Sequence, residues 1–300
     1  PVLSYDNKNW ERIESVSYDE KPKNFSFKVS FKSDTAWIAY AHPYSLTQAN
    51  ELMSSISSNP NVQTESIGNS VEGRDIRMIT ITDPVKSMGV KKVVLITALQ
   101  HSGEDCGVYL MEGLLKELID NRPEMKAVRE KFIFKLLPVM NPDGLDHGTS
   151  RYNWNMEDLN TEWDDDISDT LNFPVEPEVA AVKDWTKKWL SKGNQIDIFL
   201  DVHSHSQFNK GNTFMHSNNC LDQFGIILNS FWPIVSSSRA AGNSISSSTS
   251  FFYNYYKIPA GLIELTQSLA GENPEKYVDI NDYHLYGKGI VQSLDKYFKK

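Results

Sequence analysis

VVLITALQHSGE, residues 93–104, is the stretch whose reading decides the fold. Its first seven residues are apolar except Thr97, with no alternation of wet and dry positions. That is the pattern of a strand buried on both faces. Val108, Leu110, Met111, Leu114, Leu115 and Leu118 follow at helical spacing, after a short polar turn. The pattern recurs downstream. Phe132–Val139 reads as a second buried strand closed by Asn141-Pro142-Asp143-Gly144, and Ile196–Val202 as a third closed by Asp201–His205. Ile258–Leu265 reads as a fourth, with Glu264 near its end. Helices are expected at Glu178–Leu190, at Leu221–Val235 and at Ile290–Phe298, whose basic end suits its dipole. Strands alternating with helices predict an α/β fold with a mixed, mainly parallel central sheet flanked by helices.

Upstream the reading changes. Residues 8–40 are β-rich, and Phe25, Phe27, Val29 and Phe31 alternate with polar residues like a half-buried strand. Leu46–Ser57 reads as a helix after Pro43, and Val62–Thr82 as two strands about the turn Glu72–Asp75. The expected organisation is a β segment over 1–40 and a larger α/β domain over 41–300. An acidic stretch (Glu162–Asp166) and a serine-rich one (Ser236–Ser250) read as long loops.

The chain has 300 residues, 40% hydrophobic, and a formal charge of −9. The size allows a substantial core. The acidity argues against nucleic acid or an anionic membrane as partner, since both require concentrated Lys and Arg. No apolar run is long enough to span a bilayer. The opening PVLSYDNKNW lacks the basic start and apolar core of a signal peptide, and beginning on Pro1 is expected of a trimmed or processed chain. Cys106 and Cys220 fit no disulfide framework or zinc spacing and are expected to be free thiols.

Open α/β sheets bind ligands beyond the carboxyl ends of their strands, so polar groups distant in sequence can converge there. His101, Glu104 and His203 together make a two-histidine, one-carboxylate set, with Glu264 as a further acid. Three protein ligands leave the fourth position of a zinc ion open, the mark of a catalytic centre. Each residue alone has a plainer explanation. H-x-x-E recurs by chance, a histidine at a strand end is commonly structural, and a buried ion pair would account for Glu264.

Taken in order, the motifs resemble the zinc metallocarboxypeptidase family, and within it the cytosolic-carboxypeptidase-like branch. They are DTAWIAYAHPYSLTQ (34–48), IGNSVEGRDI (67–76), QHSGE (100–104), MNPDGLDHGTSRYNWNMEDLN (140–160), EPEVAAVKDW (176–185) and FLDVHSHS (199–206). The resemblance implies one Zn2+ per chain on His101, Glu104 and His203, with Asp158 orienting the first histidine. It implies Arg151 as oxyanion stabiliser, Asn160 as a holder of the substrate's terminal carboxylate, and Glu264 as general base. The implied substrate is a peptide or peptide-like small molecule, hydrolysed at a C-terminal bond. The resemblance implies a cytoplasmic location, while the residues themselves leave the compartment open, periplasmic or secreted being the alternatives for a processed N-terminus.

Three positions depart from the family pattern. Thr161 stands where the family places an arginine that clamps the substrate carboxylate, and a hydroxyl offers no charged planar fork. Arg239 and Lys257 are the alternative cations. No tyrosine is assigned to the family's active-site position; Tyr253, Tyr255 and Tyr256 read as aromatic packing along a strand. Residues 1–40 resemble only the last strands of the branch's β-sandwich. Thr161 keeps a second reading open, an amidase or esterase whose substrate has no free C-terminal carboxylate; a third is a non-catalytic binding module. The specificity pocket is expected around Asn243–Phe252.

Overall fold

In the computed structural model the described residues are 1–299 less 20, 22–23, 86–90, 165–174, 206–210, 217–219, 233, 240–245 and 268–276; the side chains of 18 and 234–239 also lie outside the description. Two compact units divide at Pro43/Tyr44. The first, Pro1–Pro43, holds a three-stranded antiparallel sheet of β1 (Val2–Ser4), β2 (Glu11–Arg12) and β5 (Trp37–Ala39), with β1 central. Its other element is the hairpin β3 (Val16–Asp19) and β4 (Asn24–Phe27). Phe25 and Phe27 are exposed in β4, where alternation predicts half-burial. The hairpin gains no third strand among the described residues, and two strands alone make no dry face.

The second unit is built on an eight-stranded mixed sheet. Its strands are β6 (Val62–Asn69), β7 (Asp75–Ile81), β8 (Lys92–Ala98), β9 (Phe132–Leu137), β10 (Ile198–His205), β11 (Asn212–His216), β12 (Ile234–Arg239) and β13 (Ala260–Thr266). They lie in the order β12-β11-β13-β10-β8-β9-β7-β6. The central β13, β10, β8 and β9 are mutually parallel, and antiparallel strands flank them on both sides. Each of the four buried strands read from the sequence falls among these central four.

Helices α1 (Leu46–Ile56), α2 (Cys106–Ile119), α3 (Pro123–Lys131), α4 (Pro142–His147), α5 (Pro177–Ser191), α6 (Asp222–Leu228), α7 (Ser248–Tyr256) and α8 (Ile280–Tyr297) complete the unit. The core divides into two clusters, as a sheet covered on both faces requires. One contains residues of α2 and α8, the other residues of α5 and α7. Helices α2 and α8 cross at glycine. A Cβ on Gly287 would lie 2.1 Å from the Leu110 carbonyl oxygen, and one on Gly113 would lie 2.3 Å from that of His284.

Several expectations need correction. The helix expected over Leu221–Val235 ends at Leu228, and residues 234–239 form edge strand β12. Pro233 lies between the two, and proline cannot continue a helix. The serine-rich stretch is therefore not one loop, since it contains most of β12 and the start of α7. The closing helix starts at Ile280, ten residues before the expected position, behind a capping box between Asp279 and Asp282. Tyr253, Tyr255 and Tyr256 stand on helix α7, not on a strand. Cys106 opens α2, buried, and both cysteines are free. No helix among the described residues is long and apolar enough to cross a membrane.

Candidate metal centre

The site grows from the end of β8. Leu99 turns the chain with φ at +59°, a left-handed conformation that a non-glycine residue adopts at a cost of roughly 1–2 kcal/mol. Hydrogen bonds from Met140 N to Ala98 O (3.1 Å) and from Asn141 N to Leu99 O (3.1 Å) hold it. The turn that follows presents His101 and Glu104. Its Gly103 lies so close to the next loop that an added Cβ would meet the Ser150 carbonyl oxygen at 2.9 Å.

His101, Glu104 and His203 converge, their ligand atoms all lying within 4.8 Å of one another. His203 is inside β10 rather than beyond it, because the strand runs on to His205. The two Nδ1 atoms are 3.2 Å apart. Glu104 faces both, with Oε1 2.8 Å from His101 Nδ1 and Oε2 3.0 Å from His203 Nδ1. Glu104 Oε2 also accepts the Ser204 backbone N–H at 2.9 Å.

The far side of each ring explains this arrangement. His101 Nε2 lies 3.0 Å from Asp158 Oδ1, and His203 Nε2 lies 2.9 Å from Asp201 Oδ2. An ionised carboxylate only accepts, so each Nε2 carries the ring proton and each neutral ring turns its Nδ1 lone pair inward. In that tautomer two lone pairs and a carboxylate face one another, a donor set that suits a cation. The separation also fits, because two nitrogens on one tetrahedral zinc stand about 3.3 Å apart. Without an ion the charge is balanced by the rings themselves. Burial opposes charge on His203, but Asp201 and Glu104 raise its pKa well above the ordinary histidine value. Burial would raise Glu104, yet His203 and His101 hold it at about 2.

Asp201 is fully buried behind His203. Thr97 Oγ1 donates to it at 2.7 Å, and Gln100 Nε2 and Ser248 Oγ donate to it as well. Burial acts to raise its pKa, and His203, Ser248 and Thr97 together bring it below the usual value. Gln100 Oε1 accepts from the indole of Trp163 at 3.0 Å, and Trp163 is wholly buried. Sequence reasoning missed Asp201 and Gln100 as site residues, and took Ser248 only as part of the expected specificity segment. Asp201 had a signal, since i and i+2 on a strand share a face. Ser248, at the first turn of α7, carried no signal for its contact with Asp201.

The other residues singled out from the sequence are placed as follows. Asp158 bridges His101 and Arg151, its Oδ2 accepting Arg151 Nε at 2.7 Å. Burial pushes the Asp158 carboxyl up, but His101 and Arg151 outweigh it and leave it at about 2. Asn160 turns inward and accepts the Ser248 N–H at 3.1 Å. Thr161 Oγ1 donates to the Asp158 carbonyl at 2.8 Å, within its own turn. Glu264 is the Cα partner of His203 across the β10–β13 ladder. It takes no side-chain hydrogen bond from a described residue, and burial raises its carboxyl to about 7.

Of the two clamp alternatives, only the Lys257 side chain is described. Lys257 is exposed and donates to Asn254 O, and the Arg239 side chain lies outside the described residues. Of the expected specificity segment, 243–245 are likewise outside the description, whereas Ser248 donates to Asp201 behind His203.

The sequence pattern described as zinc carboxypeptidase matches residues 49–222, more than half of the chain. Cytosolic carboxypeptidase 2 of Danio rerio is 28% identical over 202 residues, covering 65% of this chain and 27% of the relative. Cytosolic carboxypeptidase 6 of Mus musculus is 28% identical over 275 residues, 87% of this chain and 49% of the relative. The chain thus spans between a quarter and a half of these relatives' length. The solved metallo-carboxypeptidase of Burkholderia cenocepacia superposes with a TM-score of 0.84 at 22% identity, covering 99% of this chain and 80% of its own, a likeness of fold.

Proposed function

The chain belongs to the zinc carboxypeptidase family, and on that premise we propose that it is a zinc-dependent hydrolase of a C-terminal peptide or amide bond. The observation that carries this reading is the inward meeting of two Nδ1 atoms and a carboxylate, each ring held from behind by its own aspartate. His101, Glu104 and His203 would hold one Zn2+, with the Asp158 and Asp201 contacts fixing both ring tautomers. Bound there, zinc supplies a Lewis acid for the scissile carbonyl and acidifies water.

Glu264 is the general base. Its carboxyl, raised to about 7 by burial, suits a group that takes a proton from water as the C–O bond forms and returns it to the leaving nitrogen as C–N breaks. Arg151 stabilises the developing oxyanion, its guanidinium plane set by the Asp158 contact. One such donor is typically worth about 10²–10³ in rate. Asn160 and Thr161 would face the terminal end of the substrate.

Thr161 favours a second reading. Its hydroxyl already donates to the Asp158 carbonyl, so that position offers a substrate carboxylate neither charge nor a free donor. A zinc amidase or esterase acting on a blocked end would need neither. Hydrolysis of matched peptides, free acid against C-terminal amide, separates the two, with Glu264→Ala as blank. Preference for the free acid supports a carboxypeptidase. Equal or faster cleavage of the amides supports the second reading, and a wild-type rate in the blank overturns both.

A further inference from the structure

The loop that carries Arg151 and Asp158 does not hold its shape by local preference. Ser150 and Met156, neither a glycine, have φ at +66° and +65°. Such residues persist where surrounding structure over-determines them.

Two arms reach this loop from one hub, Arg74, in the turn of the β6–β7 hairpin. In the first arm Arg74 NH1 donates to Asp143 Oδ1 at 2.7 Å, and NH2 pairs with Asp146. Asp143 is fully buried and also accepts Ser70 Oγ at 2.7 Å and Glu72 N at 2.8 Å. Helix α4 is thereby fastened to the hairpin. Its cap, Asn141, donates through Nδ2 to Gln100 O at 3.2 Å and to Tyr152 O at 3.1 Å. One side chain therefore touches the residue before His101 and the residue after Arg151. In the second arm Arg74 pairs with Glu72, which lies 2.6 Å from His147 Nε2. The His147 ring stacks on Trp154, with centroids 3.9 Å apart, in the middle of the same loop.

We infer that Arg74 is a positioning residue for Arg151, fixing the arginine loop through α4 on one side and through Glu72, His147 and Trp154 on the other. The inference rests on the reading of Arg151 given above. A planar fork suits the hub, because a guanidinium spreads its donors over separate nitrogens, NH1 serving Glu72 and Asp143 and NH2 serving Asp146, whereas an ammonium has all of its donors on one atom.

The test is a double-mutant cycle on the zinc-loaded enzyme with the peptide it cleaves best. Arg74→Lys keeps a charge beside buried Asp143 and so avoids the unpaired carboxylate that Arg74→Gln would leave. It should lower kcat by about 10- to 100-fold, the effect of a small displacement of a catalytic group, with KM and zinc content unchanged. In an Arg151→Ala background the same change should have almost no further effect. A full additional loss there would make Arg74 merely structural and overturn the inference. A wild-type kcat in Arg151→Ala alone would overturn the reading of Arg151, and this inference with it. Hydrogen exchange over residues 149–158 needs no turnover: Arg74→Lys should accelerate it, and unchanged protection also overturns the inference.

Discussion

His203 and Glu264 are Cα partners in the parallel ladder between β10 and β13, so both side chains rise from one face of the sheet on neighbouring strands. Thr213 of β11 pairs with Glu264 on its other side, which completes a row of three. The proposed base and the histidine ligand therefore owe their spacing to the sheet and not to a loop.

Glu264 should make the metal-free protein less stable as pH rises. Its carboxyl is raised from 4.5 to about 7, so between those values the folded chain binds more protons than the unfolded one. Stability is then fully present below the lower value and is lost as pH climbs through the upper one. Denaturation midpoints over this range should fall for the wild type and stay flatter for Glu264→Gln. Parallel curves for the two would refute the assignment.

Zinc should raise the Tm of the chelated protein, because binding to the folded state alone is stabilising. In His203→Ala the rise should shrink or vanish, along with stoichiometric metal by elemental analysis. An undiminished rise would place the ion elsewhere.

Asp201→Asn exchanges a pure acceptor for a group with its own N–H at the bottom of the site. Loss of such a partner behind a ligating histidine typically weakens metal binding about 10- to 100-fold. Competition with a chromophoric chelator measures this, and unchanged affinity would leave Asp201 a role in folding only.

Thr161→Arg should raise the preference for a free C-terminal carboxylate by about tenfold or more, as a charge-assisted fork replaces a hydroxyl already engaged in its own turn. The ratio of kcat/KM for free and amidated peptides reads it directly. No change would mean that this position does not face the substrate's terminus.

Gly287→Ala should loosen the α2–α8 crossing, where the new methyl group would lie 2.1 Å from the Leu110 carbonyl oxygen. Overpacking of this kind costs typically about 1–3 kcal/mol. A urea midpoint equal to that of the wild type would show that the helices can slide apart freely.

The central strands are legible because a strand dry on both faces leaves an unbroken apolar run, and each run here stops at a polar group. His101, Glu104, His203 and Glu264 are legible for the same reason. Ser248 is not, because it reaches Asp201 from 47 residues away, and nothing in its neighbourhood marks the contact. The first half of α8 is hidden by Gly287 and Gly289, which count against a helix locally but are required by close packing against α2 and Trp232. Helix α4 is hidden by its shortness, yet the cap Asn141 and the Arg74 contacts give it more influence on the site than its length implies.

The ladder between β10 and β13 also bears on how such a protein can be altered. Adding residues to the segments that join β10 to β13 leaves the register between Glu264 and His203 untouched. Adding a single residue within β13 would turn Glu264 to the opposite side of the sheet. Segments away from the His101–Glu104 turn can therefore be lengthened, exchanged or grafted while His203 and Glu264 stay side by side.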